Sequence, residues 1–159
     1  MAKQKKTNAE RLLEAAKIEF EAIEYKVDPN DLSGEHIAKE IGIPPCEMFK
    51  TLVLKGDKNG HAVCCIPTDK ELDLKKVAAC AGEKKIEMIL EKQLLPTTGY
   101  IRGGCSPVGM KKKFPTFFDK SAEDFDEIYV SGGVRGITLK IKRADLIKYV
   151  DGTTCDLTK

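Results

Sequence analysis

The chain has 159 residues, 42% hydrophobic and 33% charged, with a net charge of +2. That length suits a single domain with one core over residues 1–159, and the near-neutral balance excludes bulk attraction to a polyanion as the organising principle. No apolar run approaches the ~20 residues of a membrane span, and Met1 to Lys6 is basic without an apolar signal core, so the expected location is cytoplasmic with no membrane partner.

Thr7-Asn8-Ala9-Glu10 reads as a capping box. Ala9, Leu12, Leu13, Ala16, Phe20 and Ile23 follow at helical spacing and predict a helix from about Asn8 to about Ala22. Glu24 to Val27 is a short extended segment stopped by Asp28-Pro29-Asn30. Ser33 caps a second helix carrying Ile37, Ala38 and Ile41, and Gly42 ends it. After Pro44-Pro45, the run Met48 to Leu54 reads as a strand, returned through the loop Gly56 to Gly60 as a second strand from His61 to Ile66. Asp73 caps a third helix ended by Gly82. Lys85 to Met88 is a short strand, and Glu91 to Leu95 a short helix halted by Pro96. Lys113 to Phe118 is extended, with Pro115 arguing for an edge or a bulge. Glu127–Ser131 and Ile137–Ile141 are two strands, Ala144–Val150 a last helix, and the tail from Asp151 polar and loose. Hairpin-ordered strands among helices predict an α+β fold with a mixed, mainly antiparallel central sheet.

In the first strand Lys50, Leu52 and Leu54 share one face, and Phe49, Thr51 and Val53 the other. Only the lysine interrupts two apolar faces, and an unpartnered ammonium is costly to take out of water. Lys50 therefore has two readings. It either snorkels its amine to water or serves a pocket, as a positioning cation or as a base with its pKa strongly depressed by burial. Two glycine-rich loops supply candidate partners: Gly103 to Gly109, and Ser131 to Gly136. Glycine lets a ligand approach main-chain N–H groups, and successive N–H groups form cradles for an anion. Tight turns need glycine for geometry alone. Against that bland account stand Ser106, Lys111, Ser131 and Arg135 in the same segments. We expect the lysine strand and both loops to converge on one pocket.

The remaining inventory excludes common enzyme classes. Neither histidine, His36 or His61, belongs to a Ser-His-Asp pattern, and no Walker loop, dinucleotide fingerprint or Gly-x-Ser-x-Gly elbow occurs. Cysteines stand at 46, 64, 65, 80, 105 and 155 without a Cys-x-x-Cys pair, so no metal, no cofactor and no disulfide is expected. Cys105 inside a glycine loop is either a small packing residue or a lowered-pKa nucleophile.

Phe49-Lys50-Thr51-Leu52, Gly103-Gly104-Cys105-Ser106-Pro107-Val108-Gly109-Met110-Lys111-Lys112 and Ile128 to Gly136 together resemble the YbaK/EbsC family. That family contains cysteinyl-tRNA(Pro) deacylases and is related to the editing domain of prolyl-tRNA synthetase. The resemblance implies a trans-editing hydrolase that clears Cys-tRNA(Pro), and Cys-tRNA(Cys) with it, with Lys50 at the position of the one indispensable lysine. It implies substrate contacts at Tyr25, Gly103, Gly104, Ser131, Gly132, Gly133 and Thr138. Acceptor-stem phosphates would meet Lys111, Lys112, Lys113 and Arg135, and a transient complex with prolyl-tRNA synthetase is a further implication. Such enzymes let the cysteinyl thiol attack its own ester, leaving as a thiolactone. Cys105 departs from the usual aliphatic residue, and Val134 from a common basic one. The alternatives are a sister deacylase for alanyl or another small aminoacyl-tRNA using water, a cysteine-nucleophile enzyme, or a non-catalytic module that binds aminoacyl-tRNA.

Overall fold

The computed structural model describes residues 6–159, and the basic stretch Met1 to Lys5 lies outside it. The first helix, α1 (Asn8–Ala15), opens on the expected capping box: Thr7 Oγ1 accepts from Glu10 N–H, and the Glu10 carboxylate accepts from Thr7 N–H. It ends seven residues earlier than its apolar spacing suggested. Lys17 takes φ 59°, and the chain turns into a strand, β1 (Phe20–Glu24). Phe20 and Ile23 thus sit opposite Ile141 and Thr138 in a sheet. An isolated helix of this length is marginal, so strand pairing wins over local periodicity.

The cap predictions at α2 (Gly34–Ile41) hold, with Ser33 Oγ accepting from His36 N–H and Gly42 at φ 77°. A 3₁₀ turn at Pro45–Glu47 leads to β2 (Phe49–Gly56), which pairs antiparallel with β3 (His61–Pro67). Asp73 caps α3 (Leu74–Ala81), and β4 (Ile86–Met88) pairs with the far end of β2. The next helix, α4 (Glu91–Thr98), runs through Pro96 instead of stopping before it. Pro96 removes one backbone donor, yet Gly99 N–H closes the last turn onto Leu95 and the Thr98 hydroxyl donates to Leu94 C=O.

The strand β5 (Thr116–Asp119) is not at an edge. It lies between β3 and β8 (Thr153–Cys155), parallel to both. Pro115 precedes the strand, where its missing N–H costs nothing and its carbonyl accepts from Val63 N–H. The strands β6 (Glu127–Ser131) and β7 (Ile137–Lys142) form a hairpin, followed by α5 (Arg143–Tyr149). Strand order is β1-β7-β6 in a three-stranded sheet and β4-β2-β3-β5-β8 in a five-stranded one, joined through a Met48–Tyr129 bridge. Four strand pairings are antiparallel and two parallel, so the fold is α+β and mainly antiparallel, divided over two sheets.

The main core fills the space between the sheets with Phe49, Val53, Val63, Phe118, Ile128, Leu139 and Ile141. A second cluster lies under the opposite face of the larger sheet, where Leu54, Cys64, Ile66 and Val77 meet Leu157 of the tail. The tail is therefore not loose. Leu157 is fully buried, its C=O accepts from Asp73 N–H, and Lys76 Nζ donates to Thr158 C=O. Nor are all thiols free: Cys80 of α3 and Cys155 of β8 are joined in a disulfide. Their separation of 75 residues hid the pairing, and the docking of the tail onto α3 creates it.

Candidate active site

A cleft of about 490 Å³ opens where β2 passes between α2, α4 and the two glycine loops. Lys50 lines it together with Gly103 and Cys105 of the first loop and Ser131 of the second, so the three segments do converge. Lys50 is half-buried. Among the described residues no carboxylate oxygen lies within 4.0 Å of its amine. A cation without a counter-ion in a concave site is available to an incoming oxygen.

The two loops lock together through their backbones. A Cβ on Gly104 would stand 3.1 Å from Arg135 N and from Val134 Cα and C. Main chain yields less readily than a flexible side chain, so a larger residue here strains the contact between the loops. Gly103 adopts φ 85°, and Arg135 Nε donates to Arg102 C=O at 2.8 Å, fastening one loop to the other. Arg135 is exposed and acts here as a strap. Gly132 N–H donates to Ile137 C=O inside the β6–β7 hairpin, and Gly133, at φ 98°, lies against Tyr100.

Other expected contacts sit behind or beside the cleft. Ser131 pairs directly with Thr138, Thr138 pairs with Ile23, and Tyr25 follows Ile23 by two residues, so all four share one face of the smaller sheet. Tyr129 shares that face, and Met48 and Ile37 of α2 pack against it. Thr138 is buried and its hydroxyl has no hydrogen-bond partner among the described residues. Ser131 Oγ accepts from Gly133 N–H. Lys111, Lys112 and Lys113 are exposed and none lines the cleft. Lys113 is paired with Asp151, and Lys111 packs along Gly99.

Neither histidine lines the cleft. His36 lies between Asp31 and Glu40. His61 leans on Phe114, and burial followed by the Lys55 and Lys112 charges lowers its pKa. Burial pushes the Cys105 thiol up to about 12, a contact with Thr98 opposing it, which removes the thiolate a nucleophile requires. No group of three or more His, Cys, Asp or Glu side chains gathers to hold a metal among the described residues. Nothing in the local pattern marked the role of α4 and the residues before it: Ile89, Leu90, Glu91 and Leu94 wall the cleft, and Glu91 pairs with Arg102 at 3.3 Å on its rim.

Over residues 29–149 the chain matches the model of the aminoacyl-tRNA editing domain. It belongs to that family. The editing domain is 44% identical over 155 residues to "Putative Cys-tRNA(Pro)/Cys-tRNA(Cys) deacylase EbsC" of Enterococcus faecalis, covering 98% of this chain and 94% of that one. It is 32% identical over 123 residues to the proline–tRNA ligase of Elusimicrobium minutum, covering 77% of this chain and 20% of the ligase. Its fold matches the crystal structure of "a putative trans-editing enzyme for prolyl tRNA synthetase" with TM-score 0.81 at 19% identity, covering 98% and 99% of the two chains. Among the described residues no helix is long and apolar enough to cross a membrane.

Proposed function

We propose that this editing domain deacylates Cys-tRNA(Pro), and Cys-tRNA(Cys) with it, as one catalytic unit over residues 1–159 working in trans in the cytoplasm. The observation that carries the reading is the unneutralised Lys50 amine in a cleft shared with Gly103 and Ser131. Lys50 holds the ester oxygens as a fixed cation, and the glycine-loop backbone cradles the terminal adenosine. Tyr25, Gly104, Gly132, Gly133 and Thr138 shape the walls behind these contacts. Similarity to EbsC and to the ligase supports the choice of substrate.

Among the described residues that line the cleft, the Cys105 thiol is held protonated by burial, which favours chemistry supplied by the substrate. The cysteinyl sulfur attacks its own ester carbonyl, so a C–S bond forms and the C–O bond to the ribose breaks. The thiol proton passes to the departing ribose oxygen, and cysteine leaves as a thiolactone that water then opens. Stabilising the negative charge that develops on the ester oxygens and fixing the attack geometry are worth several kcal/mol in a preorganised site.

Lys111, Lys112 and Arg135 meet acceptor-stem phosphates from outside the cleft, with Lys113 joining when it leaves Asp151. Choice of tRNA comes from a transient complex with prolyl-tRNA synthetase, since backbone-phosphate contacts carry no sequence information. The test is deacylation of Cys-tRNA(Pro), Ser-tRNA(Pro) and Ala-tRNA(Pro) by wild type and Lys50→Ala. The reading expects rapid loss of cysteine, little loss of serine or alanine, and no activity in the variant. Serine released as fast as cysteine refutes the thiol-assisted step.

A further inference from the structure

The outer edge of β2 is open where the cleft crosses it. β4 pairs with β2 only from Leu54 to Gly56, and Ile89 N–H reaches Val53 C=O at 3.1 Å. On the other side, β6 runs beside this segment but bridges it only at Met48–Tyr129. In an antiparallel strand, main-chain groups of alternate residues point to opposite neighbours. Gly56 N–H donates to Gly60 and Met48 C=O accepts from Thr68, both on the β3 side. Even-numbered residues therefore turn their polar groups to β3, and odd-numbered ones turn theirs outward. Thr51 is a cleft residue whose N–H and C=O both point to this side, and neither the β4 ladder nor the β6 bridge extends to it among the described residues.

An unpaired strand edge accepts another extended segment. An aminoacyl ester can serve as one residue of such a segment. Its ammonium donates and its carbonyl accepts, as an amino acid does across an antiparallel hydrogen-bonded pair. We propose that the aminoacyl group docks on Thr51 as a one-residue strand, its ammonium donating to Thr51 C=O and its carbonyl accepting from Thr51 N–H. This deepens the deacylase reading and rests on it.

The pairing fixes the substrate's orientation. Side chains of directly paired residues lie on the same face. The Thr51 side chain lies on the core face, its Oγ1 3.8 Å from Cys65 Sγ. The aminoacyl side chain accordingly enters the part of the cleft walled by Cys105, Ile89 and Leu94, which pack on that same core. The ester oxygen and ribose run antiparallel to β2, past Lys50, whose side chain lies on the opposite face. Selection of the side chain and contact with the ribose end thus fall to opposite faces of one strand.

The test uses the full chain labelled with nitrogen-15 and 3′-cysteinylamino-3′-deoxyadenosine, an amide-linked mimic of the charged tRNA end. The Thr51 amide resonance should move, and its exchange with deuterium should slow at least about tenfold at saturation. Acetylating the mimic's amino group should weaken binding about tenfold. In a kinetic arm, replacing the main-chain N–H of residue 51 by oxygen, through a backbone ester, should lower kcat/KM for Cys-tRNA(Pro) at least about tenfold. Movement of the Lys50, Gly103 and Ser131 amides with Thr51 unchanged overturns the docking and leaves the deacylase reading standing. An unchanged kcat/KM in the backbone ester does the same. A mimic that moves no cleft amide, with Cys-tRNA(Pro) left intact, overturns both.

Discussion

Ser131 and Thr138 stand opposite one another on β6 and β7, the serine at the cleft and the threonine sealed behind it with its hydroxyl unpartnered among the described residues. A buried hydroxyl without a hydrogen bond costs about 1–3 kcal/mol. Thr138→Val should therefore raise stability by about 1 kcal/mol, moving Tm up by about 2–4 °C for a chain of this size. If the threonine also serves the reaction, deacylation should fall while Tm rises. Calorimetry and single-turnover deacylation on one preparation decide it, and a lowered Tm would show that the hydroxyl has a partner in solution.

Gly104→Ala should separate the two loops. Its Cβ would meet three main-chain atoms at 3.1 Å, and overpacking of this kind costs about 1–3 kcal/mol. The loops carry Gly103 and Ser131 to the cleft, so kcat/KM should drop at least about tenfold with the fold retained by circular dichroism. Full activity would mean the loops can part freely.

Lys50→Ala should lower kcat by at least about 10²-fold, as expected for loss of a preorganised charge at a reacting ester. Lys50→Arg should not restore it, because a planar fork cannot replace a compact ammonium in the same space. Since the side chain is half-buried and unpaired, Tm should change little. A loss of both Tm and activity would point to a structural lysine instead.

Stability should decline in alkali. Burial raises the Cys64 and Cys105 thiols from 9.0 to about 12 in the folded chain, whereas the unfolded chain releases these protons near 9. Above pH 9 the unfolded state binds fewer protons than the folded one, so stability is full below pH 9 and is lost towards pH 12. Each thiol contributes a slope of at most ~1.4 kcal/mol per pH unit. Urea midpoints at pH 7, 9 and 10.5 test this, and a flat profile above pH 9 contradicts buried, protonated thiols.

Reduction of Cys80–Cys155 should destabilise the chain by about 2–4 kcal/mol, since the bond closes a 75-residue separation. The bond lies with the cluster of Leu54, Cys64 and Val77, away from the loops that form the cleft. Reduced protein should therefore melt earlier yet keep its deacylase rate at 25 °C. Equal melting of the oxidised and reduced forms would argue that the docked tail alone holds β8.

Local signals in the sequence decided the parts of this protein that local physics controls. The Thr7–Glu10 box, the Ser33 and Asp73 caps, and the stops at Gly42 and Gly82 each follow from one side chain and its nearest backbone, and the structure keeps all of them. The alternation around Lys50 and the glycines of the two loops were equally legible, because a lone lysine between apolar neighbours and clustered glycines stand out without a partner. Tertiary pairing decided the rest. Phe20 and Ile23 fit a helix as well as a strand until Ile141 and Thr138 take them up. Pro115 marks an edge only until the strand after it finds β3 on one side and β8 on the other. The walls from α4, the Cys80–Cys155 link and the gap at Thr51 arise from segments far apart in the chain, and only the folded packing brings their energies to bear.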